Sequence, residues 1–517
     1  MKLDEVTKEF IAEHGRYCSV VTFKWWQTAF YFLIAAVLLF LLAYRWDVAV
    51  CLVTLYVSFW YFSAAFFRSL AVFISLTGRG ERKISHEQIN ALRDEDLPIY
   101  TILIPLYKEA SIADKIITHV DRLHYPKDKL DVKLLLEQDD KETLSAIHQS
   151  SLPSYYEVIV VPDFLPKTKP RACNFGLKRA RGEYCVIFDA EDRPEPDQLK
   201  KAVVIFRQLP EKYACIQAKL NYYNPRQNIL TRWFTIEYST TFDLLLPGME
   251  MLNIPIPLGG TSNHFRTSIL GKIGGWDPFN VTEDCDLGIR IYTKGYRTCM
   301  FDSTTWEEAN SKVWNWIRQR SRWIKGFMQT HLTHMRNPFR TLKDLGPWGL
   351  FGFYMCVGAS SFMMVVNVLY WIAGSFYLLL LAHGFAKGQT FWGMIRNSVV
   401  ENYEGFELFG RHFKAWPLLY TGIDQDRFWS VLSICFFTIG IALVLANFFF
   451  VLCHCLACLK RKNYYLLPYA LLMPIYWVLI SIGAWKGLIQ LFTKPFYWEK
   501  TIHGLAKKEE TIPEEEG

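Results

Sequence analysis

The sequence predicts an α/β domain, its sheet mostly parallel and doubly wound, inserted between membrane-spanning α-helices. Three observations carry this. Apolar runs long enough to cross a bilayer stand towards both ends of the chain. Charged residues return in the stretch between them. Within that stretch, short apolar runs alternate with helical patterns, as they do in doubly wound sheets. The chain has 517 residues, room for more than one domain. It is 51% hydrophobic yet 21% charged, which fits neither a disordered chain nor one wholly buried in lipid.

The elements follow in order. Residues 1–15 mix acids with bases and lack a small-residue cleavage site, so 1–24 reads as a cytosolic segment rather than a signal peptide. Residues 25–44 and 48–76 are two apolar runs joined by a very short turn, a helical hairpin over 25–76. The basic TGRGERK stretch at 77–83 places the following domain, 77–345, in the cytoplasm by the positive-inside rule. Strands are expected at 100–106, 133–136, 157–161 and 184–188, with helices at 110–123 and 174–181 between them. The second apolar region spans 346–491. Its first run, 346–382, is about twice the length of a minimal span. The runs at 428–453 and 464–491 read as single spans, and 383–427 as an interfacial segment. The tail, 492–517, ends in a charged and disordered stretch from 507.

The net charge of +7 suits an anionic lipid surface or a diphosphate, and no nucleic-acid motif is present. The twelve cysteines are scattered, several in apolar runs, which is not a secreted disulfide framework. Cys453, Cys455 and Cys458 cluster around His454, but a second Cys-x-x-Cys pair is missing; juxtamembrane thiols are the simpler reading.

The chemistry is sought at the carboxyl ends of strands, where such sheets bind ligands. Glu137-Gln138-Asp139-Asp140 follows one predicted strand and Asp189-Ala190-Glu191-Asp192 another. Hard oxygen ligands of this kind suit Mg²⁺ or Mn²⁺ bridging nucleotide phosphates. One such cluster alone is a solvated loop; two on successive strand ends favour a site. Lys169, Arg171 and Asn174 precede the second cluster, and cations beside a diphosphate make physical sense. Thr282-Glu283-Asp284 offers a carboxylate that can take a proton from an attacking hydroxyl, and Thr282 is also a candidate helix cap. Gln319, Arg320, Arg322 and Trp323 lie in a cationic, aromatic segment at 314–326 with helical spacing. Its indole can stack on a sugar and its guanidinium groups can hold a diphosphate, although composition alone equally describes an interfacial helix.

In this order and spacing, the motifs resemble the processive family 2 glycosyltransferases: cellulose synthase and its curdlan, mannan and hyaluronan relatives. The resemblance covers about 98–323 and is closest to bacterial β-glucan and glucomannan synthase-like members. It implies a GT-A (Rossmann-like) domain and assigns nucleotide contact to Asp139 and Asp140. It makes Asp189 the first acid of the metal motif, with Glu191 or Asp192 as the second, and Mg²⁺ or Mn²⁺ as the ion. It makes Asp284 of the TED motif the general base. Lys169, Arg171, Asn174, Gln319, Arg320 and Arg322 fall to the nucleotide-sugar, and Trp323 and His264 (within GGTSNHFR, 259–266) to the acceptor. The late WEKTIHG stretch, 498–504, is similar in placement to a gating loop, through Trp498, Thr501 and His503. The implied reaction polymerises a nucleotide-sugar, with UDP-glucose favoured, into a β-linked polysaccharide exported across the plasma membrane. The alternatives are a GDP-mannose-dependent mannan or glucomannan synthase, and a transferase adding one or a few sugars to a lipid or oligosaccharide. A catalytically dead export subunit is a third, which the retained acids disfavour. Expected partners are the donor, the growing chain, the bilayer and possible export proteins.

The gating loop also bears on topology. It must share a side with the catalytic domain, so an even number of helices should follow that domain. Six spans in all result if 346–382 is a tight hairpin, but Lys460-Arg461-Lys462 then faces outward, against the positive-inside rule.

Overall fold

A computed structural model describes residues 2–110, 118–390, 406–408, 411–413, 447–502 and 504–506. Half of the helix expected at 110–123, most of the interfacial segment, much of the run at 428–453, His503 and the tail from 507 lie outside the described residues.

The strands, in chain order, are β1 (Tyr100–Leu106), β2 (Leu130–Glu137), β3 (Tyr156–Val161), β4 (Tyr184–Ile187), β5 (Arg193–Pro194), β6 (Tyr213–Tyr222), β7 (Asn263–Arg266) and β8 (Arg297–Glu307). They form one sheet in the order β3–β2–β1–β4–β7–β6–β8–β5. The first four pair in parallel; β1, β2 and β4 are buried on both faces, while β3 at the edge leaves Val160 exposed. Thr101 is a polar exception inside β1, and it donates to Asp131 Oδ2 at 2.9 Å. The other half of the sheet adds antiparallel pairs to a sheet that stays mostly parallel, since β6 and β8 also pair in parallel. β7 runs antiparallel to both β4 and β6, and β5 antiparallel to β8, so the sheet is mixed.

The helices used below are α1 (Glu5–His14), α2 (Trp25–Tyr44), α3 (Trp46–Ser75), α4 (Lys141–Gln149), α5 (Lys169–Leu177), α6 (Gln198–Gln208), α7 (Ile229–Ser239), α8 (Glu283–Thr293), α9 (Val313–His334), α10 (Pro338–Phe353), α11 (Ser360–Ala386), α12 (Asn447–Lys460) and α13 (Met473–Thr493). α2 and α3 form the expected hairpin around Arg45. Four stretches among the described residues are long and apolar enough to cross a membrane: Trp25–Tyr44, Leu52–Ser75, Pro338–Val368 and Met473–Thr493.

Residues 346–382 do not form a tight hairpin. The chain kinks at Gly346 (φ 69°, a conformation that favours glycine), then runs helically through a wider turn at Tyr354–Ala359 into α11. The run is long because its first half packs on the α/β domain: Phe353, Met355 and Val357 are fully buried. The basic run after α12 is bound to that domain as well. Lys460 donates to Asp243 O at 2.6 Å, and Arg461 pairs with the Asp243 carboxylate. α13 lies alongside α9 and points the same way: Tyr476 meets Trp316 (ring centroids 5.0 Å apart), Gly483 meets Arg320, and Gly487 meets Ser321. Beyond it, Gln329 donates to Pro495 O at 3.0 Å. The thiols around His454 point into different clusters, Cys453 with Val72 and Cys458 with Leu466, while His454 Nδ1 pairs with the Thr240 hydroxyl. No group of three metal-binding side chains occurs among the described residues, neither here nor among the acids after β4.

Candidate active site

The carboxyl ends of the central strands face α9 across a cavity of about 390 Å³. Asp189 and Glu191 line it from the turn after β4, and Glu307 from the end of β8. Lys169 contributes from the start of α5, and Thr282, Glu283 and Asp284 from the start of α8. α9 adds Gln319, Arg320, Arg322 and Trp323; a strap at 494–505, following α13, adds Trp498, Lys500 and Thr501.

Local forces set each of these groups. Thr282 makes no side-chain cap bond to α8, contrary to its expected capping role. Its backbone N–H instead donates to Asn280 Oδ1 at 3.0 Å, and its side chain fits over Gly326 of α9. A Cβ at Gly326 would lie 2.2 Å from the Thr282 hydroxyl, so glycine is what lets α9 approach this closely. Asp284 sits in the first turn of α8, where the helix dipole favours negative charge, and accepts from Cys285 N–H at 2.7 Å. Burial, then the neighbouring Asp284 charge, pushes Glu283 up to about 8. Burial also raises Asp284, opposed by the Cys285 N–H, Lys169 and Arg322. The two adjoining acids therefore share the cost of burial, which favours the proton on Glu283. Burial works against a charged Lys169, but Asp189 and Glu283 reverse this and raise it. Lys169 bonds to the Asp189 carboxylate and to Gly260 O, the latter at 2.7 Å.

Of the two candidates for the second acid, Glu191 lines the cavity and Asp192 does not. Asp192 turns away from the cavity, accepting from Asp189 N–H at 2.7 Å and from the Thr261 hydroxyl. Burial and the charges of Asp189 and Glu191 push its pKa well up. Glu307 is likewise raised, by burial and by Asp192, Glu191 and Asp189. This crowd of acids fits a divalent ion that takes one or two carboxylates and completes its shell with substrate phosphates. Asp189 and Glu191 are the pair that would hold it.

Across the cavity, buried polar atoms are left without a protein partner. Gln319 Oε1, Arg322 Nε and Thr501 Oγ1 have no hydrogen-bond partner among the described residues. Grouped on the wall of one cavity, they leave donors and acceptors free for a ligand. The Arg322 guanidinium lies 4.4 Å from the Trp498 ring centroid, closing the strap over α9. The strap is held on both sides: Asn315 exchanges two hydrogen bonds with the Ile502 backbone, and Glu308 accepts from Gly504 and Leu505 N–H. Arg320 lines the cavity and donates to Glu237 and Tyr476 of α7 and α13, which leaves its Nε without a partner among the described residues.

Several expected site residues lie elsewhere. Arg171 is fully buried behind the cavity, ion-paired with Asp4 and Glu137. Asn174 is bonded to the Trp276 backbone. His264 stands in the core between Tyr100 and Gln198, away from any acceptor. Asp140 caps α4 and accepts from Lys108 N–H. Asp139 pairs at 2.6 Å with Lys167, which lines the cavity while Asp139 does not. Glu307, Lys500 and Lys167 were not anticipated. Glu307, at a strand end, and Lys500, inside the 498–504 stretch, carried a positional signal.

Residues 184–386 match the family described as "Glycosyl transferase family group 2". The chain is 28% identical over 304 residues to a probable glycosyltransferase, YdaM, of Bacillus subtilis, covering 56% of this chain and 70% of that protein. It is 24% identical over 313 residues to glucomannan 4-beta-mannosyltransferase 2 of Arabidopsis thaliana, covering 56% of this chain and 58% of that protein. The chain thus spans little more than half the length of that plant relative. A mannosyltransferase of Pyrobaculum calidifontis, solved with GDP-Man and Mn²⁺, superposes with a TM-score of 0.42 at 17% identity, over 75% of this chain and 99% of that one. The chain is an enzyme, a glycosyltransferase similar over residues 184–386 to family group 2. Its similarity extends to proteins named as glucomannan mannosyltransferases.

Proposed function

We propose that this glycosyltransferase is a membrane-embedded, inverting enzyme that extends a β-linked polysaccharide from a nucleotide-sugar. The observation that carries the reading is the set of unpaired buried atoms, Gln319 Oε1, Arg322 Nε and Thr501 Oγ1, facing the acids of α8 across one cavity. In this reading Arg322 and Lys169 bind the diphosphate, Trp323 stacks on the acceptor sugar, and Asp284 takes the proton of the attacking hydroxyl. A divalent ion on Asp189 and Glu191 would supply charge neutralisation to the departing diphosphate. With the shared proton favoured on Glu283, Asp284 is the basic carboxylate.

A second cavity, about 170 Å³, supports growth of a polymer. It shares Arg68, Glu237, Thr241 and Ser360 with the first and continues among the helices past Asn367, Asn447 and Ser481. Polar and aromatic side chains inside an apolar bundle suit a saccharide path. The sequence resemblance favours UDP-glucose as donor, while the names of the plant relatives favour a mannosyl donor. Reconstitution with a panel of UDP- and GDP-sugars, followed by linkage and length analysis, decides between them. A product extended by a single sugar would sink the polymerase reading.

The same reading places the α/β domain in the cytoplasm and α13 along the membrane surface rather than across it. Both flanks of α13, the basic run after α12 and the strap, bind the α/β domain. An interfacial α13 reconciles the basic run at 460–462 with a strap on the same side. Cysteines placed at the exposed Lys462 and Thr493 should both be labelled from the catalytic-domain side of sealed vesicles. Labelling from opposite sides would make α13 a true span.

A further inference from the structure

The arm that precedes α2 makes buried contacts which the proposed reaction does not use. Asp4 is buried; its Oδ1 accepts from Thr7 N–H at 2.8 Å, which starts α1, and its Oδ2 accepts from Arg171 Nε at 2.7 Å. Arg171, with no exposed surface, reaches Glu137 Oε1 and Oε2 through Nη1 at 3.3 and 3.2 Å, and bonds to Pro162 O through Nη2. Glu137 ends β2 and lines the active-site cavity beside Lys167 and Lys169. A second hold fixes the arm to the other half of the site. Ser19 N–H donates to Asp277 Oδ2 at 2.6 Å, in the segment that leads to Thr282. Pro278 O of that segment accepts from the Thr168 hydroxyl at 2.8 Å, next to Lys169.

We infer that Asp4 is a positioning residue for the donor: acting through Arg171, it sets where Glu137 stands in the cavity. One buried guanidinium is shared between two buried carboxylates. Asp4 takes its Nε edge, which orients the planar group and leaves Nη1 to bridge both oxygens of Glu137. Without the Asp4 charge, Arg171 is drawn wholly to Glu137, and the carboxylate is pulled back from the cavity. Donor affinity changes while the acids of α8, held by other contacts, stay in place. The inference rests on the nucleotide-sugar reading of the cavity.

The test uses the full-length enzyme in lipid nanodiscs. Asp4→Asn is expected to raise the donor KM by about tenfold, the worth of one charged hydrogen bond, with kcat within about twofold. Asp4→Glu restores the charge and should recover most of the affinity. Thr7→Val removes a hydroxyl bonded to Asp4 at 3.0 Å but keeps the Arg171 pair, so its KM should stay at the wild-type value. An unchanged KM in Asp4→Asn would overturn the inference. So would a parallel fall of kcat and melting temperature in Asp4→Asn and Thr7→Val that Asp4→Glu did not rescue, because that pattern is simple loss of α1. If the wild-type enzyme transfers no sugar from any donor, the nucleotide-sugar reading fails by itself. Calorimetric binding of UDP and GDP to wild type and Asp4→Asn then tests the arm separately, equal affinities refuting it.

Discussion

Replacing Asp284 by Asn is expected to lower turnover by about 10²–10⁴-fold, the contribution of a placed general base. Binding of the nucleoside diphosphate should stay within about threefold, because Asp284 is not needed to hold phosphate. The substitution keeps the shape of the side chain and its bond from Cys285 N–H, so the start of α8 is preserved. Glu283→Gln separates the two acids. Glu283, pushed up to about 8, is the favoured holder of the shared proton. Its amide therefore leaves the acidic limb of the pH–rate profile in place, since that limb belongs to Asp284. A limb displaced by Glu283→Gln would transfer the shared proton to Asp284 and make Glu283 the base. Near-normal synthesis by Asp284→Asn would remove the base assignment altogether.

Part of this site was legible in the sequence because its chemistry is local. Thr282-Glu283-Asp284 and Gln319 to Trp323 are short runs, each positioned by one helix, and the structure brings both to one cavity. Likewise β1, β2 and β4 were legible because parallel strands buried on both faces read as apolar runs. β7 was not. Asn263-His264-Phe265-Arg266 looks polar, and His264 is buried only because Tyr100 and Gln198, far away in the chain, satisfy both its ring nitrogens. Arg171 illustrates the same limit. A cation next to a metal motif suggests phosphate, but Asp4 lies 167 positions away and claims it.

The long apolar run at 346–382 misled for a different reason. Hydropathy does not separate burial in lipid from burial in protein. Gly349 packs on Tyr292 and Gly352 on Ile254, so this part of the helix is core to the α/β domain before α11 leaves it. The expected outward-facing 460–462 run assumed a hairpin within 346–382, where the structure has helices running on without one. That basic run meets Asp243 and Glu81, acids of the α/β side, which no count of apolar residues reveals.

Glu191→Gln and Asp189→Asn should each cost about 10²–10³-fold in kcat, comparable to losing one preorganised electrostatic group at the developing charge. Both acids line the cavity, and each loss should also raise the Mg²⁺ or Mn²⁺ concentration needed for half-maximal rate. Asp192→Asn is the informative contrast. Asp192 is adjacent in sequence and equally acidic, yet its Oδ2 is occupied by Asp189 N–H and the Thr261 hydroxyl. Burial beside two other acids raises its pKa, and the amide keeps an acceptor oxygen in its place. Asp192→Asn should therefore leave kcat within about tenfold and the metal requirement unshifted, at the level of a structural hydrogen bond. Asp192→Ala should be worse than Asp192→Asn, because it abandons Asp189 N–H and lets the turn that presents Asp189 move. Titrating Mn²⁺ against initial rate for the four variants separates the roles. A metal requirement that shifts with Asp192→Asn, and not with Glu191→Gln, would exchange the two acids in the assignment.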